Sequence, residues 1–225
     1  MKFELKFRDD ELRKALTASY KKVIREAIIA NAENLEEAIK ERYATEVRKT
    51  PEYTSLRREA GGLRKDFGIE EPDSALADVI DVLLRYVKVT INRATNDNNN
   101  YIVPMTIVVF DQRSLKGLLS SNVGSYFSDG NSRWSGEEIP WLRWLLTSGN
   151  TPVVVGYTVF YGEYSDEQSR TGHAIMVDTN VSGKSFTVDP RYRGTAERNF
   201  LTRAAREVVP HIKGLIQDKV IGKIR

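Results

Sequence analysis

The sequence predicts an α+β fold, in which a long N-terminal helix is followed by an antiparallel sheet with short helices and then by a C-terminal helix. Two patterns carry this prediction. Apolar residues recur at helical spacing over 9–48 and again beyond 195, as expected for amphipathic helices. Apolar and polar residues alternate over 87–92, as in a half-buried strand. Strands adjacent in sequence can pair antiparallel with helices to one side, which is the α+β arrangement.

The helical pattern over 9–48 is long for one helix. A continuous helix of that length would extend about 60 Å. This exceeds the diameter of a small domain, so part of the helix would rest on something outside its own core. A break near Asn31–Asn34 would instead give two helices of ordinary length. Both alternatives stay open at this point.

Glycine and cap residues organise the segment that follows. Pro51 and Gly61–Gly62 are helix breakers, and short helical turns are predicted between them. Asp73 and Ser74 are cap candidates for a helix over 71–84, because their side chains can accept from free amides at a helix start.

A polar loop and a second strand are predicted next. Residues 96–100, NDNNN, predict a mobile loop. Residues 101–111 predict a strand, in which Pro104 indicates an edge position or a bulge because proline cannot donate to a ladder.

The remaining central elements are short. Residues 114–136 predict a short helix and an exposed loop, and 139–149 predict a compact helix closed by Gly149. A third strand is predicted over 151–162, and 173–178 and 184–189 are predicted to form a hairpin across NVSG.

The C-terminal helix is predicted to take Thr195 as its N-cap and to be kinked or split at Pro210, which lacks a backbone N–H. No internal repeat and no clear linker are visible, which predicts a single domain over 1–225. Its parts are the N-terminal helix region 1–48, the helices and sheet of 49–194, and the C-terminal helix 195–222.

Composition limits the classes of function. The chain has no cysteine, which excludes disulfides, thiol catalysis and zinc–thiolate sites. Apolar residues make up 40%, but no run approaches the ~18 apolar residues of a membrane helix. The first residues, MKFELKFRDDELRK, are charged throughout and show no signal peptide. We therefore expect no membrane partner.

Charge is distributed unevenly. The net charge is +3, yet residues 191–225 carry nine Lys or Arg against three acids and are therefore about +6. Residues 70–81 hold five acids and no base. Opposite poles suit head-to-tail association with copies of the same chain, and the basic segment also permits contact with nucleic acid.

A catalytic site is the first interpretation that SRTGHAIMV invites. Ser169 and His173 lie close in sequence, but no GxSxG nucleophile elbow is present. The simpler interpretation is a turn with Gly172, after which His173 begins a strand. The two histidines lack HxxH or HExxH spacing, and no phosphate-binding glycine motif occurs. We predict no catalytic, cofactor-binding or metal site.

Aromatic residues interleave with arginines in RYRGTAERNF. Arg191, Arg193 and Arg198 alternate with Tyr192 and Phe200, and such residues can contact phosphates and stack on bases. The alternative is an amphipathic helix with an ordinary basic face.

The three tryptophans form a second candidate. Trp134, Trp141 and Trp144 lie within eleven residues. One is expected to fill the core, and the region could be an interaction surface, since tryptophan is favoured at the centres of contacts.

Several of these strings occur in a familiar order. IPWLRWLL, VVVGYTVFYG, SRTGHAIMV and VDPRYRGTAERNFLTRA together resemble neck and tail-completion proteins of tailed bacteriophages, which join head to tail. The resemblance covers roughly 134–220, and also the N-terminal helix with TPEYTSLRREAGGLRKDFGI. None of these matches is a catalytic signature.

The resemblance implies a non-enzymatic virion protein that forms a ring, a hexamer or a dodecamer, around the DNA channel. Its implied partners are its own copies, other neck, portal or connector proteins, and tail tube or sheath proteins, with DNA passing through the lumen without sequence specificity. It would lie in the virion neck after assembly in the host cytoplasm. A tail terminator or collar ring protein is one alternative, and a small nucleic-acid-binding protein is an alternative of another class.

Two sets of residues are candidates for contacts under this resemblance. Arg170, at the predicted strand corner, could pair with a carboxylate of a neighbouring protein. The acidic side chains Asp73, Asp78 and Asp81 could meet a basic face of the next subunit, because a ring needs a heterologous, closing interface.

Overall fold

Helices and antiparallel strand pairs alternate along the chain in the computed structural model, which confirms the α+β class. The helices surround an apolar core to which both the N-terminal and the C-terminal parts of the chain contribute. The structure describes residues 9–58, 62–67, 69, 71–92, 95–97, 100–127, 138–151, 154–155, 157–161, 174–178 and 185–223.

The elements are as follows in chain order. The helices are α1 (Asp9–Ala30), α2 (Ala32–Arg48), α3 (Pro51–Arg57), α4 (Leu63–Phe67), α5 (Pro72–Leu84), α6 (Gln112–Leu119), α7 (Trp141–Thr147) and α8 (Phe200–Lys219). The strands are β1 (Lys88–Ile91), β2 (Thr95–Asp97), β3 (Asn100–Ile102), β4 (Met105–Val108), β5 (Tyr126–Phe127), β6 (Glu138–Ile139), β7 (Val154–Val155), β8 (Tyr157–Tyr161), β9 (Ala174–Asp178) and β10 (Ser185–Phe186). Among the described residues the strand pairs are β1–β4, β2–β3, β5–β6, β7–β10 and β8–β9.

Asn31 separates α1 from α2, so the N-terminal pattern forms two helices. The amide and the side-chain nitrogen of Asn31 both donate to the carbonyl of Ala27, at 3.1 and 2.8 Å. A short polar side chain that competes for backbone groups in this way favours a helix boundary. Of the two alternatives drawn from the sequence, the structure contains the break.

α2 and α8 pack antiparallel and bring the two ends of the chain together. Arg203, in the first turn of α8, contacts Glu52 beyond the end of α2. Arg42, in the middle of α2, contacts His211 further along α8. Each large apolar side chain buried between them contributes about 1.5–3 kcal/mol. Large apolar side chains buried on the two helices include Leu35, Ile39, Tyr43 and Val47 of α2 and Phe200, Leu201 and Val208 of α8, and the small side chain of Ala204 is buried as well.

The helical turn predicted between Pro51 and Gly61–Gly62 is confirmed as α3, whereas α4, which follows Gly62, was not predicted. Gly62 has a φ of +76°, which favours glycine. A Cβ at Gly62 would lie 2.5 Å from the Oγ of Ser55. That same oxygen accepts a hydrogen bond of 3.0 Å from the amide of Leu63. Ser55 therefore fixes the start of α4, and only glycine fits beside it.

The predicted cap of α5 is wrong. Glu71 occupies the N-cap position and Pro72 the first helical position, where the missing N–H of proline removes nothing from the helix. Asp73 and Ser74 consequently lie inside the first turn. Asp73 still favours the helix there, because a negative charge near the N-terminus is stabilising.

β1 and β4 form the clearest strand pair. Val89 and Ile91 are half-buried while Lys88 and Thr90 are exposed, which confirms the predicted alternation. Val89 lies opposite Ile107 in an antiparallel register.

Pro104 divides the single strand predicted over 101–111 into β3 and β4. Proline has no N–H for the ladder, but its carbonyl accepts from the amide of Asn92 at 2.8 Å. The loop predicted over 96–100 is also wrong in part, because β2 and β3 pair with Asp97 opposite Asn100. Asparagine and aspartate are frequent at the tips of such hairpins, and positions 98–99 lie outside the described residues.

The hairpin predicted between 173–178 and 184–189 is wrong. β9 pairs with β8, with Ile175 opposite Phe160, and β10 pairs with β7. The strand predicted over 151–162 accordingly consists of two short strands with different partners. Alternating patterns in neighbouring segments specify which face is buried, whereas the choice of partner depends on packing.

Two helices of the central segment begin and end at well-defined residues. At the start of α6, the Ser114 amide donates to Asp111 Oδ1 at 2.8 Å, and the Asp111 amide donates to Ser114 Oγ at 3.2 Å. This is a capping box. The predicted closure of the next helix, α7, by Gly149 is confirmed by its φ of +54°.

α8 begins four residues later than predicted. Asn199, not Thr195, is its N-cap, because the Asn199 side chain accepts from the Thr202 amide at 3.0 Å and Thr202 Oγ1 accepts from the Asn199 amide at 2.9 Å. At Pro210, where a kink or a split was predicted, the helix is not split, since it runs without interruption from Phe200 to Lys219. Proline has no N–H, so one backbone carbonyl in the preceding turn loses its helical hydrogen bond. Because Pro210 is exposed, water can donate to that carbonyl instead.

Candidate interaction surfaces

The tryptophans differ in exposure. Trp141 is completely buried, whereas Trp144 is half-buried. Both ring centroids lie 6.4 Å from that of Phe67, a distance typical of favourable aromatic pairs. Trp141 is therefore held in the core and is not available to a partner, while Trp144 keeps part of its ring at the surface. Trp134 lies outside the described residues.

Arg191 is exposed but is neutralised by a neighbouring carboxylate. Its Nη2 donates to Asp189 Oδ2 at 2.7 Å, and its Nε donates to both carboxylate oxygens at 3.2 Å. This hydrogen bonding holds the pKa of Asp189 below its ordinary value. The Arg191 guanidinium also lies 5.3 Å from the centroid of the Tyr192 ring. Arg191 thus contributes little free charge to a nucleic-acid surface.

Arg193 is used within the fold. Its Nε donates to the Val188 carbonyl at 2.5 Å, its Nη1 to Asn150 Oδ1 at 2.8 Å, and its Nη2 to Thr187 Oγ1 at 3.0 Å. These bonds join the chain after β10 to the turn after α7. Arg193 is half-buried, and its position is that of a structural residue.

Of the three predicted arginines, Arg198 is the one whose guanidinium is available to a partner. It is exposed, and its guanidinium has no hydrogen-bond or ion-pair partner in the described part of the chain. Its backbone is fixed, since the amides of Thr195 and Arg198 each donate to the other's carbonyl, at 2.9 and 3.1 Å.

Gly194 docks this turn on α7. The Gly149 amide donates to the Gly194 carbonyl at 2.9 Å. A Cβ on Gly194 would lie 2.7 Å from both the Leu145 carbonyl oxygen and the Asn199 Cβ. Glycine is therefore required for this close approach. Gly194 was not among the residues predicted from the sequence, although it lies directly before Thr195.

The acidic face of α5 consists of Asp73, Asp78 and Asp81, all of which are exposed. Asp73 is paired within the chain, its Oδ1 lying 2.5 Å from Arg57 Nε. Exposed pairs of this kind contribute little to stability. Asp78 and Asp81 have no ion-pair partner among the described residues, so they are the free negative charges of this face.

Two basic surfaces lie elsewhere. Arg113 and Lys116 of α6 are exposed together with Arg143 of α7, whose Nη2 donates to the carbonyl of Leu119 at 3.4 Å and so links the two helices. We call Arg113, Lys116 and Arg143 the α6–α7 basic surface. The second surface is the outer side of α8, which exposes Arg206 and Lys213.

A buried carboxylate lies at the start of α3. Glu52 is only 1% exposed, and its Oε1 accepts from Arg203 Nη2 at 2.5 Å. Its Oε2 has no hydrogen-bond partner in the described structure. A buried charge requires such a partner. The burial of Glu52 could not be predicted from the Thr–Pro–Glu start of α3, because glutamate is common in the first turn of any helix.

A second polar cluster joins α2 to α8. Glu46 is buried and lies 2.8 Å from Arg42 Nη2 and 2.9 Å from Lys49 Nζ. Arg42 Nη2 also contacts His211 Nε2 at 2.5 Å. Because His211 is committed to this contact, it acts as part of the helix interface.

Glu36 ties α2 to β1. Its Oε2 accepts from the Val89 amide at 3.1 Å, and its Oε1 lies 2.9 Å from Lys40 Nζ and 3.5 Å from Lys88 Nζ. Burial opposes ionisation of Glu36, but the hydrogen bonds from Lys40 and Val89 outweigh it and lower the pKa. This carboxylate therefore favours the folded state in its charged form.

Sites for small molecules are poorly developed in the described part of the chain. A cleft of about 120 Å³ lies between α6 and α7, with Gly124 and Arg143 in its wall. Ordinary ligand sites are larger, roughly 300–1,000 Å³. The described residues hold no group of His, Asp and Glu side chains placed to bind a metal ion. None of the helices they form is long and apolar enough to cross a bilayer.

The candidates Arg170 and His173 lie outside the described residues, so their roles stay predictions. Comparison with protein-family models, with curated proteins and with solved structures finds no match for this chain.

Proposed function

We propose that this chain is a non-enzymatic structural protein of the bacteriophage neck, where it forms an oligomeric ring that joins head to tail around the DNA channel. Its partners in this role are copies of itself, portal or connector proteins, and tail tube or sheath proteins. DNA passes through the lumen without sequence specificity. The protein is assembled in the host cytoplasm and remains in the virion, with α1 and α2 as the long N-terminal helical segment that the resemblance implies.

One observation carries this proposal. Two of the segments that resemble neck proteins, IPWLRWLL and VDPRYRGTAERNFLTRA, lie close together, because a Cβ at Gly194 would be 2.7 Å from the carbonyl oxygen of Leu145. Just beyond the first segment, the Gly149 amide donates to the Gly194 carbonyl. Two of their polar side chains are used inside the fold, since Arg193 bonds three neighbours and Asn199 caps α8. A motif that builds a rigid body, and gathers no reactive groups in its described part, supports a structural role.

The charged surfaces suggest how a ring would close. A ring requires two different, complementary patches on each subunit. Asp78 and Asp81 provide free negative charge on α5. The α6–α7 basic surface provides positive charge on two other helices. We expect these patches to meet between neighbouring subunits, in a hexamer or a dodecamer.

A tail terminator or a collar ring protein would use the same surfaces. This alternative differs only in the position of the ring within the virion. The alternative of another class, a nucleic-acid-binding protein, is favoured by Arg198, Arg206 and Lys213, which are exposed. It is weakened by Arg191 and Arg203, whose charges are occupied by Asp189 and Glu52. By themselves, Arg198, Arg206 and Lys213 would contribute about −3 to the slope of log Kobs against log salt.

The test is a native mass spectrum of the purified protein, alone and with a purified portal or tail assembly. A closed ring, or a monomer that binds the assembly in several copies, would support the proposal and give the stoichiometry. A chain that binds neither the portal nor the tail assembly, but binds duplex DNA in a salt-dependent manner, would overturn the proposal in favour of the nucleic-acid alternative.

A pair of charge-reversal variants sharpens this test. Asp78→Lys together with Asp81→Lys should abolish ring formation or recruitment, because it places like charges at the proposed contact. Glu33→Lys together with Glu41→Lys is the matched control, since both residues are exposed acids on α2. Equal loss in both variants would remove the acidic face of α5 from the proposed interface.

A further inference from the structure

The order of hydrogen bonds in the β1–β4 pair follows from its register. The amide of Asn92 donates to the carbonyl of Pro104 at 2.8 Å, one step beyond the opposite residues Ile91 and Met105. In an antiparallel pair, residues that exchange hydrogen bonds alternate with residues whose peptide groups point away from the partner strand. Because position 92 bonds to position 104, the peptide groups of Met105 and Ile107 point away from β1.

The outward edge of β1 is covered by α2. By the same alternation the amide of Val89 points away from β4, and it donates to Glu36 Oε2 at 3.1 Å. This bond agrees with the order deduced from position 92. The ammonium groups of Lys40 and Lys88 also lie at Glu36. A helix and three charged side chains therefore close this side of the strand pair.

The outward edge of β4 is open in the described part of the chain. There β4 pairs with β1 alone, and no hydrogen bond involves the outward amides and carbonyls of Met105 and Ile107. Both side chains pack against the core, so what stays uncovered is a row of peptide groups. Residues 101–110, YIVPMTIVVF, carry no charge, although charged side chains commonly protect an open edge. We call the outward peptide groups of Met105 and Ile107 the β4 edge.

From this open and uncharged edge we infer that the chain forms a dimer in which the β4 edges of two copies pair antiparallel. Met105 of each copy lies opposite Ile107 of the other copy, and each such pair exchanges two hydrogen bonds. Thr106 lies on the two-fold axis opposite Thr106 of the other copy, and threonine pairs are favourable across strands. The two strand pairs become one four-stranded sheet, whereas a lone pair of strands is only marginally stable.

The β4 edge is complementary to a second copy of itself. Reversal of the strand about Thr106 brings Met105 against Ile107 in both copies, so every outward donor meets an outward acceptor. The apolar core sides of the two strands then lie on one side of the joined sheet and both threonines on the other. A charge on the axis would face its own copy, and Thr106 is neutral. Such a contact is isologous, because both copies use the same surface.

The dimer does not rest on the proposed neck function. The charged faces proposed for the ring lie on α5, α6 and α7, whereas the dimer uses β4. Asp78→Lys with Asp81→Lys should therefore keep the dimer even where ring assembly is lost. The two proposals can fail separately.

Sedimentation equilibrium of the purified full chain over a wide range of concentration tests the dimer. The wild type should shift from one chain mass to twice that mass as concentration rises. Thr106→Lys should weaken the association by about tenfold or more, because it places two like charges opposite each other. Thr90→Lys is the matched control, since Thr90 is also exposed and lies opposite Thr106 on β1, away from the β4 edge. It should leave the association unchanged, and circular dichroism verifies that both variants are folded.

A mixture of two variants tests the two-fold register. Thr106→Lys and Thr106→Glu should each associate weakly with themselves, because position 106 faces its own copy. An equimolar mixture should form mixed dimers about as tightly as the wild type, since opposite charges then meet across the strands. Native mass spectrometry separates the mixed dimer from the two other dimers by mass.

Amide hydrogen exchange identifies the peptide groups that pair. The amides of Met105 and Ile107 should exchange more slowly at high protein concentration than at low concentration, since only the dimer gives them hydrogen bonds. The amide of Thr106 faces β1 in both states, and its exchange should change little.

A wild type that stays monomeric at every concentration would overturn the inference, as would Thr106→Lys and Thr90→Lys variants that behave alike. A mixture as weak as either variant alone would do the same, and so would exchange at Met105 and Ile107 that does not depend on concentration. If Thr106→Lys kept self-association but lost binding to a purified portal or tail assembly, the β4 edge would accept a strand of that assembly. That result would also overturn the dimer.

Discussion

Removal of Arg203 should destabilise the fold far more than its surface position suggests. Arg203→Ala leaves the carboxylate of Glu52 inside the protein without its partner, since the Glu52 side chain is 1% exposed and the Arg203 side chain is 48% exposed. Loss of one partner from a buried pair costs about 3–5 kcal/mol. Because Arg203 reaches solvent, water can partly replace it, and we expect the lower end, about 3 kcal/mol.

Urea unfolding followed by circular dichroism measures this change. In a chain of this size about 3 kcal/mol corresponds to a fall in Tm of roughly 6–12 °C. Arg206→Ala is the matched control, because Arg206 lies on the same helix, is exposed, and should change stability by less than about 0.5 kcal/mol.

The double variant Arg203→Ala, Glu52→Gln separates charge from packing. It removes the uncompensated charge, so it should be more stable than Arg203→Ala alone. If Arg203→Ala matched Arg206→Ala within the error of the measurement, Glu52 would not depend on Arg203, and the reasoning would be refuted.

Two further predictions concern backbone space and pH. Gly194→Ala should lower the free energy of unfolding by about 1–3 kcal/mol, because its Cβ would lie 2.7 Å from the Leu145 carbonyl oxygen. Gly214→Ala, whose Cβ meets no atom within 4 Å, should raise it by about 0.5–1 kcal/mol in the same urea titration. The lowered pKa of Glu36 means that its stabilising contribution is present above its ordinary pKa of 4.5 and is lost as pH falls through the folded-state value. Glu36→Gln should therefore flatten the loss of stability on acidification, and a parallel acid limb in the variant and the wild type would contradict this.

The sequence was most informative where a local pattern suffices to determine structure. Alternation in KVTI placed β1 correctly, and Gly149 marked the end of α7. Both features depend only on neighbouring residues. The helix boundary at Asn31 was also visible, although the sequence could not decide between a break and one continuous helix.

The errors arose where distant residues decide. Thr195 and Asn199 are both good caps by type, and Asn199 is used because Gly194 docks the preceding turn on Leu145. The partner of β9 could not be chosen from alternation, since every nearby strand offers the same period. Among the candidate site residues, Arg193 was predicted as a contact but is committed to internal bonds. The prediction that one tryptophan fills the core is met by Trp141, although the sequence could not say which of the three it would be. Nothing local distinguishes Arg193 from Arg198 or Trp141 from Trp144.

The antiparallel contact of α2 with α8 has a consequence for biosynthesis. Tyr43 donates to the carbonyl of Leu201, and the two residues are 158 positions apart in the chain. Contacts of such high sequence separation form late and slow folding. A nascent chain therefore carries the uncovered apolar side of α2 until α8 has emerged from the ribosome. During that interval it is exposed to aggregation and to chaperones, and early termination before α8 would release a chain unable to close its core.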